Sequence, residues 1–123
     1  MLSIITHIKD KTHFFNLLEN NPGVIIIKFG AEWCNPCKII ENDVNVYFNS
    51  MPDNVQCIIL DIDDNINIYG YLKTKKMVNG IPTILAYFKY NNDYVPDEFI
   101  TGTNPIQLKK FFDICSEHAN NML

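Results

Sequence analysis

The sequence contains no arginine, and its ten lysines are outnumbered by fourteen carboxylates, leaving a net charge of −4 at pH 7. Proteins that grip nucleic acid need a basic face to neutralise phosphate, so no nucleic-acid partner is expected. Long apolar runs are missing too. No stretch approaches the ~20 apolar residues of a membrane-spanning helix, and no membrane partner is expected. The first eight residues have no basic leader, no long apolar core and no small-residue cleavage site, which predicts a cytoplasmic protein without a signal peptide. Cysteine is sparse: Cys34 and Cys37 lie close together, while Cys57 and Cys115 are isolated. Without a secretion signal, that pattern reads as one reactive pair plus two buried thiols rather than a disulfide framework.

What is present is enough for a core. Of the 123 residues, 47% are hydrophobic and 12% aromatic, which excludes a disordered chain. A folded monomer of this mass exposes roughly 6,800 Å², against roughly 20,600 Å² for the extended chain. About two-thirds of the surface can be buried, so a single domain over residues 1–123 is expected, with a monomer as the working unit. No repeat, linker or low-complexity segment interrupts it.

Periodicity gives the elements. Residues 3–8 read as a short edge strand. Asp10 can cap a helix to about residue 20, with Phe14, Leu17 and Leu18 at helical spacing. Residues 24–29 form an apolar, β-branched run of the kind buried on both faces of a sheet. A helix is predicted over 34–50, with Pro36 in its first turn, where a missing N–H is harmless. Ile40, Val44 and Tyr47 or Phe48 would form its apolar stripe. Residues 55–62 read as a second buried strand, and 65–75 as a helix weakened by Gly70. Residues 84–90 and 97–101 read as strands joined by a hairpin at Asn91-Asn92-Asp93. Thr103-Asn104-Pro105 starts a last helix on which Ile106, Leu108, Phe111, Phe112 and Cys115 ride. The order β-α-β-α-β-α-β-β-α implies an α/β fold, a central mixed sheet flanked by helices on both faces.

Trp33-Cys34-Asn35-Pro36-Cys37-Lys38 carries the chemistry. Two cysteines three apart at a helix start can close into a disulfide, because the first turn brings their side chains together. The helix end offers partial positive charge and free N–H groups, both favouring a thiolate at Cys34. An ordinary thiol with pKa about 8.5 is roughly 3% ionised at pH 7, whereas one near 7 is about half ionised. That difference corresponds to roughly 2 kcal/mol, within reach of a helix end plus a neighbouring sulfur. Cys34 would attack a substrate disulfide, and Cys37 would resolve the mixed disulfide and release reduced substrate. Half a zinc site is the competing reading, but zinc needs further matched ligands, and His7, His13 and His118 are scattered. The Asp61, Asp63 and Asp64 carboxylates read as helix-dipole partners. Lys73, Lys75 and Lys76 read as a solvated helix end, and Cys57 and Cys115 as small core residues.

The segment 31–38, Ala-Glu-Trp-Cys-Asn-Pro-Cys-Lys, resembles the active-site segment of the thioredoxin family. Gly80-Ile81-Pro82-Thr83 resembles the loop in which that family carries a cis-proline facing the active site, and Gly102 falls where it has a glycine lining the substrate groove. The resemblance covers roughly residues 3 to 118 and implies the thioredoxin fold. It also implies a protein-disulfide reductase with Cys34 as nucleophile and Cys37 as resolving thiol. Trp33, Asn35, Pro36, Ile81, Pro82 and Gly102 would line a groove for an extended peptide, with backbone of Ile81 free to pair with substrate. No cofactor beyond the Cys34–Cys37 disulfide is implied. The partners would be protein disulfides and an unidentified disulfide reductase that restores the dithiol.

The chain departs from the family in places. Asn35 replaces a usual glycine, Gly30 a common tryptophan and Asn42 a usual proline. Lys28 stands where the family has a buried aspartate. A lysine there can stabilise a Cys37 thiolate by its charge or act as a neutral amine base. Alternatively its stem packs and its ammonium reaches water or a carboxylate. Two other functions fit the same fold. One is a redox-inactive adaptor, because residues 27–30 faintly resemble the Dim-type spliceosomal proteins, which lack the complete cysteine pair. The other is a disulfide oxidase or isomerase, which would prefer an oxidising compartment.

Overall fold

The computed structural model describes all 123 residues. In chain order the elements are α1 (Lys11–Glu19), β1 (Val24–Gly30), α2 (Asn35–Asn49), β2 (Val55–Asp61), α3 (Ile66–Thr74), β3 (Thr83–Phe88), β4 (Glu98–Thr101) and α4 (Pro105–Asn121). The sheet runs β2-β1-β3-β4. β1 pairs parallel with β2 and antiparallel with β3, and β4 closes antiparallel on β3. The mixed sheet expected from the sequence is therefore present.

β1 explains the layers. It is interior, and all seven of its residues are buried. Successive strand side chains point to opposite faces. Ile25, Ile27 and Phe29 join a cluster with Phe14 and Leu18 of α1 and Ile68 and Leu72 of α3. Val24 and Ile26 join the opposite cluster, with Ile40, Val44 and Phe48 of α2 and Leu108, Phe112 and Cys115 of α4. Each such aliphatic or aromatic side chain contributes about 1.5–3 kcal/mol when fully buried. By the same alternation, Lys28 and Gly30 face the α2 side.

Capping sets the helix starts. The Asp10 carboxylate accepts from His13 N at 2.9 Å, and Asn104 Oδ1 accepts from Ile106 N at 2.9 Å and Gln107 N at 3.1 Å. Gly70 does not break α3, because Ile68 and Leu72 on either side of it are fully buried. Tertiary packing overrides its weak propensity.

Two expectations change. Residues 3–8 make only a single parallel bridge, Ile5 to Ile58. Ser3 O is taken by the Gln56 side chain, and Ser3 and His7 are exposed; the segment is held by its side chains instead, with Ile8 fully buried and Ile5 and Ile4 packed on opposite apolar clusters. The strand expected over 84–90 ends at Phe88, because Tyr90 takes a positive φ of 78° and turns the chain. Ile106 lies on α4 as expected and is 80% exposed, on the outer side of the helix's first turn. On α2 it is Phe48 that enters the core, while Tyr47 stacks on Phe112 at 4.6 Å from a half-buried position.

Candidate active site

β1 ends at Gly30, and the chain turns through residues 31–34 into α2. Cys34 has extended backbone, φ −88° and ψ 105°, and is the N-cap of the helix. Its Sγ accepts from Cys37 N at 3.2 Å. The sulfur thus takes the place of the usual Ser, Thr, Asp or Asn oxygen, satisfying one of the free N–H groups of the first turn. Pro36 lies inside that turn, where it removes no needed donor. Cys34 and Cys37 are joined as a disulfide with their Cα atoms 5.3 Å apart. Each is only 5% exposed.

Three of the expected groove residues form an exposed collar there: Trp33, Asn35 and Pro36. Trp33 is 64% exposed, yet it is held: its Nε1 donates to Asp63 Oδ2 at 2.8 Å. The Asp61 carboxylate in turn accepts from Asp63 N at 2.9 Å. The acidic cluster after β2 therefore serves as a clamp for the loop and the indole, a role its sequence pattern did not reveal. No group of three or more His, Cys, Asp or Glu side chains is placed to hold a metal ion.

The second loop carries the other expected groove residues. The Ile81–Pro82 bond is cis, and Ile81 packs on the apolar cluster that includes Cys34 and Cys37. Gly102 N donates to Pro82 O at 3.0 Å, with Gly102 at φ 101°, in the left-handed region that favours glycine. Thr83 Oγ1 donates to Gly80 O at 2.6 Å and meets Thr101 Oγ1 at 3.0 Å. The structure thus ties Pro82 and Gly102 together.

Lys28 is 6% exposed. Burial pulls its ammonium below the ordinary lysine value, and the Glu41 carboxylate pushes it partly back. The two ion pairs of the molecule are elsewhere, Met1 amino group to Asp53 and Lys109 to Asp113. Lys28, Glu41 and Cys37 line one cleft of about 400 Å³. Glu41 was not singled out in the sequence, although it stands one helical turn beyond Cys37. Cys57 and Cys115 are free and buried; burial pushes both thiols up to about 12, so they are inert as nucleophiles.

Sulfurs that close at the head of a helix, on a sheet of this order, define a class. It is the thioredoxin-fold proteins with a CxxC pair at disulfide distance, an arrangement consistent with thiol–disulfide oxidoreductase chemistry. The thioredoxin family model matches residues 5–113, and the chain belongs to that family. It is 33% identical over 96 residues to thioredoxin 3 of Plasmodium falciparum (isolate 3D7), covering 77% of this chain and 50% of that protein. The chain thus spans half the length of that relative. It is 32% identical over 112 residues to putative thioredoxin-4 of Dictyostelium discoideum, covering 91% of this chain and 97% of that one. Among solved structures, oxidized mitochondrial thioredoxin 3 from Saccharomyces cerevisiae superposes with a TM-score of 0.69 at 27% identity, covering 89% of this chain and 94% of that chain. Thioredoxins use their own redox-active disulfide and no cofactor.

Proposed function

We propose that this chain reduces disulfides in protein substrates. The observation that carries the reading is the Cys34–Cys37 pair capping α2, with Cys37 N donating to the Cys34 sulfur. In the reduced form, the Cys34 thiolate attacks one sulfur of a substrate disulfide. A Cys34–substrate bond forms, and the other substrate sulfur leaves as a thiolate. Cys37 loses its proton and attacks Cys34 Sγ. The Cys34–Cys37 bond closes, the second substrate sulfur leaves, and two electrons have passed to the substrate.

The exposed collar of Trp33, Asn35 and Pro36, with Ile81, Pro82 and Gly102, supplies the docking groove for an extended substrate. A disulfide reductase restores the dithiol, and the protein works as a monomer. We place it in the cytoplasm; two free thiols in the core, Cys57 and Cys115, suit a reducing compartment.

The test is reduction of a model protein disulfide such as insulin, with dithiothreitol as the electron source. Wild type is expected to turn over and Cys34→Ser to be inactive. Cys37→Ser is expected to accumulate a covalent mixed disulfide visible by mass. A wild-type protein that reduces no protein disulfide under these conditions would overturn the reading and leave a binding adaptor.

A further inference from the structure

The cleft at the base of α2 opens on the resolving sulfur, not on the nucleophile: its lining includes Cys37 and omits Cys34. Gly30 makes this possible. A Cβ there would lie 3.4 Å from Cys37 Sγ, so any side chain longer than alanine's would grow into the space the cleft occupies. Lys28 is two residues earlier on β1 and points to the same face of the sheet. It lines the same cleft as Cys37 and Glu41.

The charges around Cys37 are few. From β1 comes Lys28; from α2, Lys38 and Glu41; from the loop before the helix, Glu32; from the end of β2, Asp61. Of these charged groups only Lys28 is buried; Lys38, Glu41 and Glu32 are exposed and Asp61 is half-buried. Water screens exposed charges far more than buried ones, so the Lys28 ammonium is the least screened of the charges lining the cleft with Cys37. Glu41 opposes it from across the cleft.

We propose that Lys28 is a positioning residue for the second exchange step: its buried ammonium favours the thiolate of Cys37, and Glu41 tempers that effect. This rests on Cys37 being the resolving sulfur. When a mixed disulfide has formed on Cys34, Cys37 gives its proton to water in the cleft. The resulting thiolate, next to the Lys28 ammonium, attacks Cys34 Sγ. Lys28 remains protonated throughout, so arginine can replace it, whereas an amine base could not be so replaced.

The test uses the reduced full chain and 5,5′-dithiobis(2-nitrobenzoate). The first nitrothiobenzoate is released when Cys34 attacks, and the second when Cys37 closes the protein disulfide. The pH dependence of the second phase reads Cys37 alone, and the first phase is the control. Lys28→Met is expected to move the second-phase limb to higher pH and slow that phase at pH 7 by roughly tenfold, the equivalent of one pKa unit. Lys28→Arg is expected to keep the wild-type limb. Glu41→Gln is expected to move it the opposite way, to lower pH. A structural disturbance of the site has no reason to give opposite signs. A Lys28→Met limb that coincides with wild type, or Lys28→Met and Glu41→Gln moving together, overturns the proposal. If Lys28→Met does not fold, Lys28→Arg and the exposed Glu41→Gln carry the test, and an unmoved Glu41→Gln limb overturns it. The reagent is not a protein disulfide, so the outcome is independent of whether insulin is a substrate.

Discussion

Trp33 Nε1 donates to Asp63 Oδ2 at 2.8 Å, fastening the residue before the nucleophile to the turn that follows β2. The indole is mostly exposed, so this bond fixes its orientation rather than adding to the core.

Asp63→Ala should release the indole. A hydrogen bond to a charged acceptor is worth roughly 1.5–3 kcal/mol at best, and less in an exposed setting. The expected result is a few-fold rise in KM for a protein disulfide with kcat nearly unchanged. Asp63→Asn should retain most of the wild-type value. Trp33 is the sole tryptophan, so its fluorescence reports the release directly. Unchanged emission and KM in Asp63→Ala would remove the clamp from substrate binding.

Asn104 caps α4 through two N–H groups. Asn104→Ala should cost about 1 kcal/mol of stability, read as a lower urea midpoint at unchanged slope. The reduction activity should persist, because α4 packs on the face of the sheet away from α1 and α3 and contributes no side chain to the cysteine pair.

The two core thiols make stability depend on alkaline pH. Cys57 and Cys115 are raised from 9.0 to about 12 in the folded protein. Below pH 9 both states hold the protons and the contribution is complete. Above it the unfolded chain ionises while the folded one stays protonated, so stability falls as pH rises from 9 toward 12. Urea midpoints across that range should drop more steeply for wild type than for the Cys57→Ala/Cys115→Ala double variant. Equal slopes would mean that the thiols are not desolvated.

Two glycines near β1 should behave differently. A Cβ on Gly23 would lie 2.5 Å from Asn54 Nδ2 and 2.8 Å from Asn54 O. The backbone contact cannot relax by a rotamer change, so Gly23→Ala should cost about 1–3 kcal/mol by overpacking. Gly30→Ala meets only Cys37 Sγ at 3.4 Å and Cys37 Cβ at 3.6 Å, which is ordinary contact. Thermal melts of the two variants side by side check the contrast.

The elements with strong periodicity were legible in the sequence, and so was the cysteine pair. β1 could be read because its apolar run is unbroken but for Lys28, and α2 because Pro36 and the stripe Ile40, Val44 and Phe48 agree. Residues 3–8 read as a strand because their run is apolar, but such a run does not say how many backbone pairs will form; only Ile5 pairs, with Cys57 O and Ile59 N on the outer edge of β2. The exposure of Ile106 is not legible in the sequence, because helical spacing fixes relative angle, while the direction of the helix is set by contacts made elsewhere. The Trp33–Asp63 clamp and the Lys28–Glu41 cleft escaped for a common reason. Each joins residues from different elements, and only the folded register of β1, α2 and β2 brings them together.

The atom that begins α2 is also the atom that would trade partners. A capping oxygen spends its lone pair on the helix and has no other duty, whereas the Cys34 sulfur can hold the Cys37 amide while its covalent neighbour changes. The exchange chemistry and the seating of the first turn of α2 therefore meet on one sulfur.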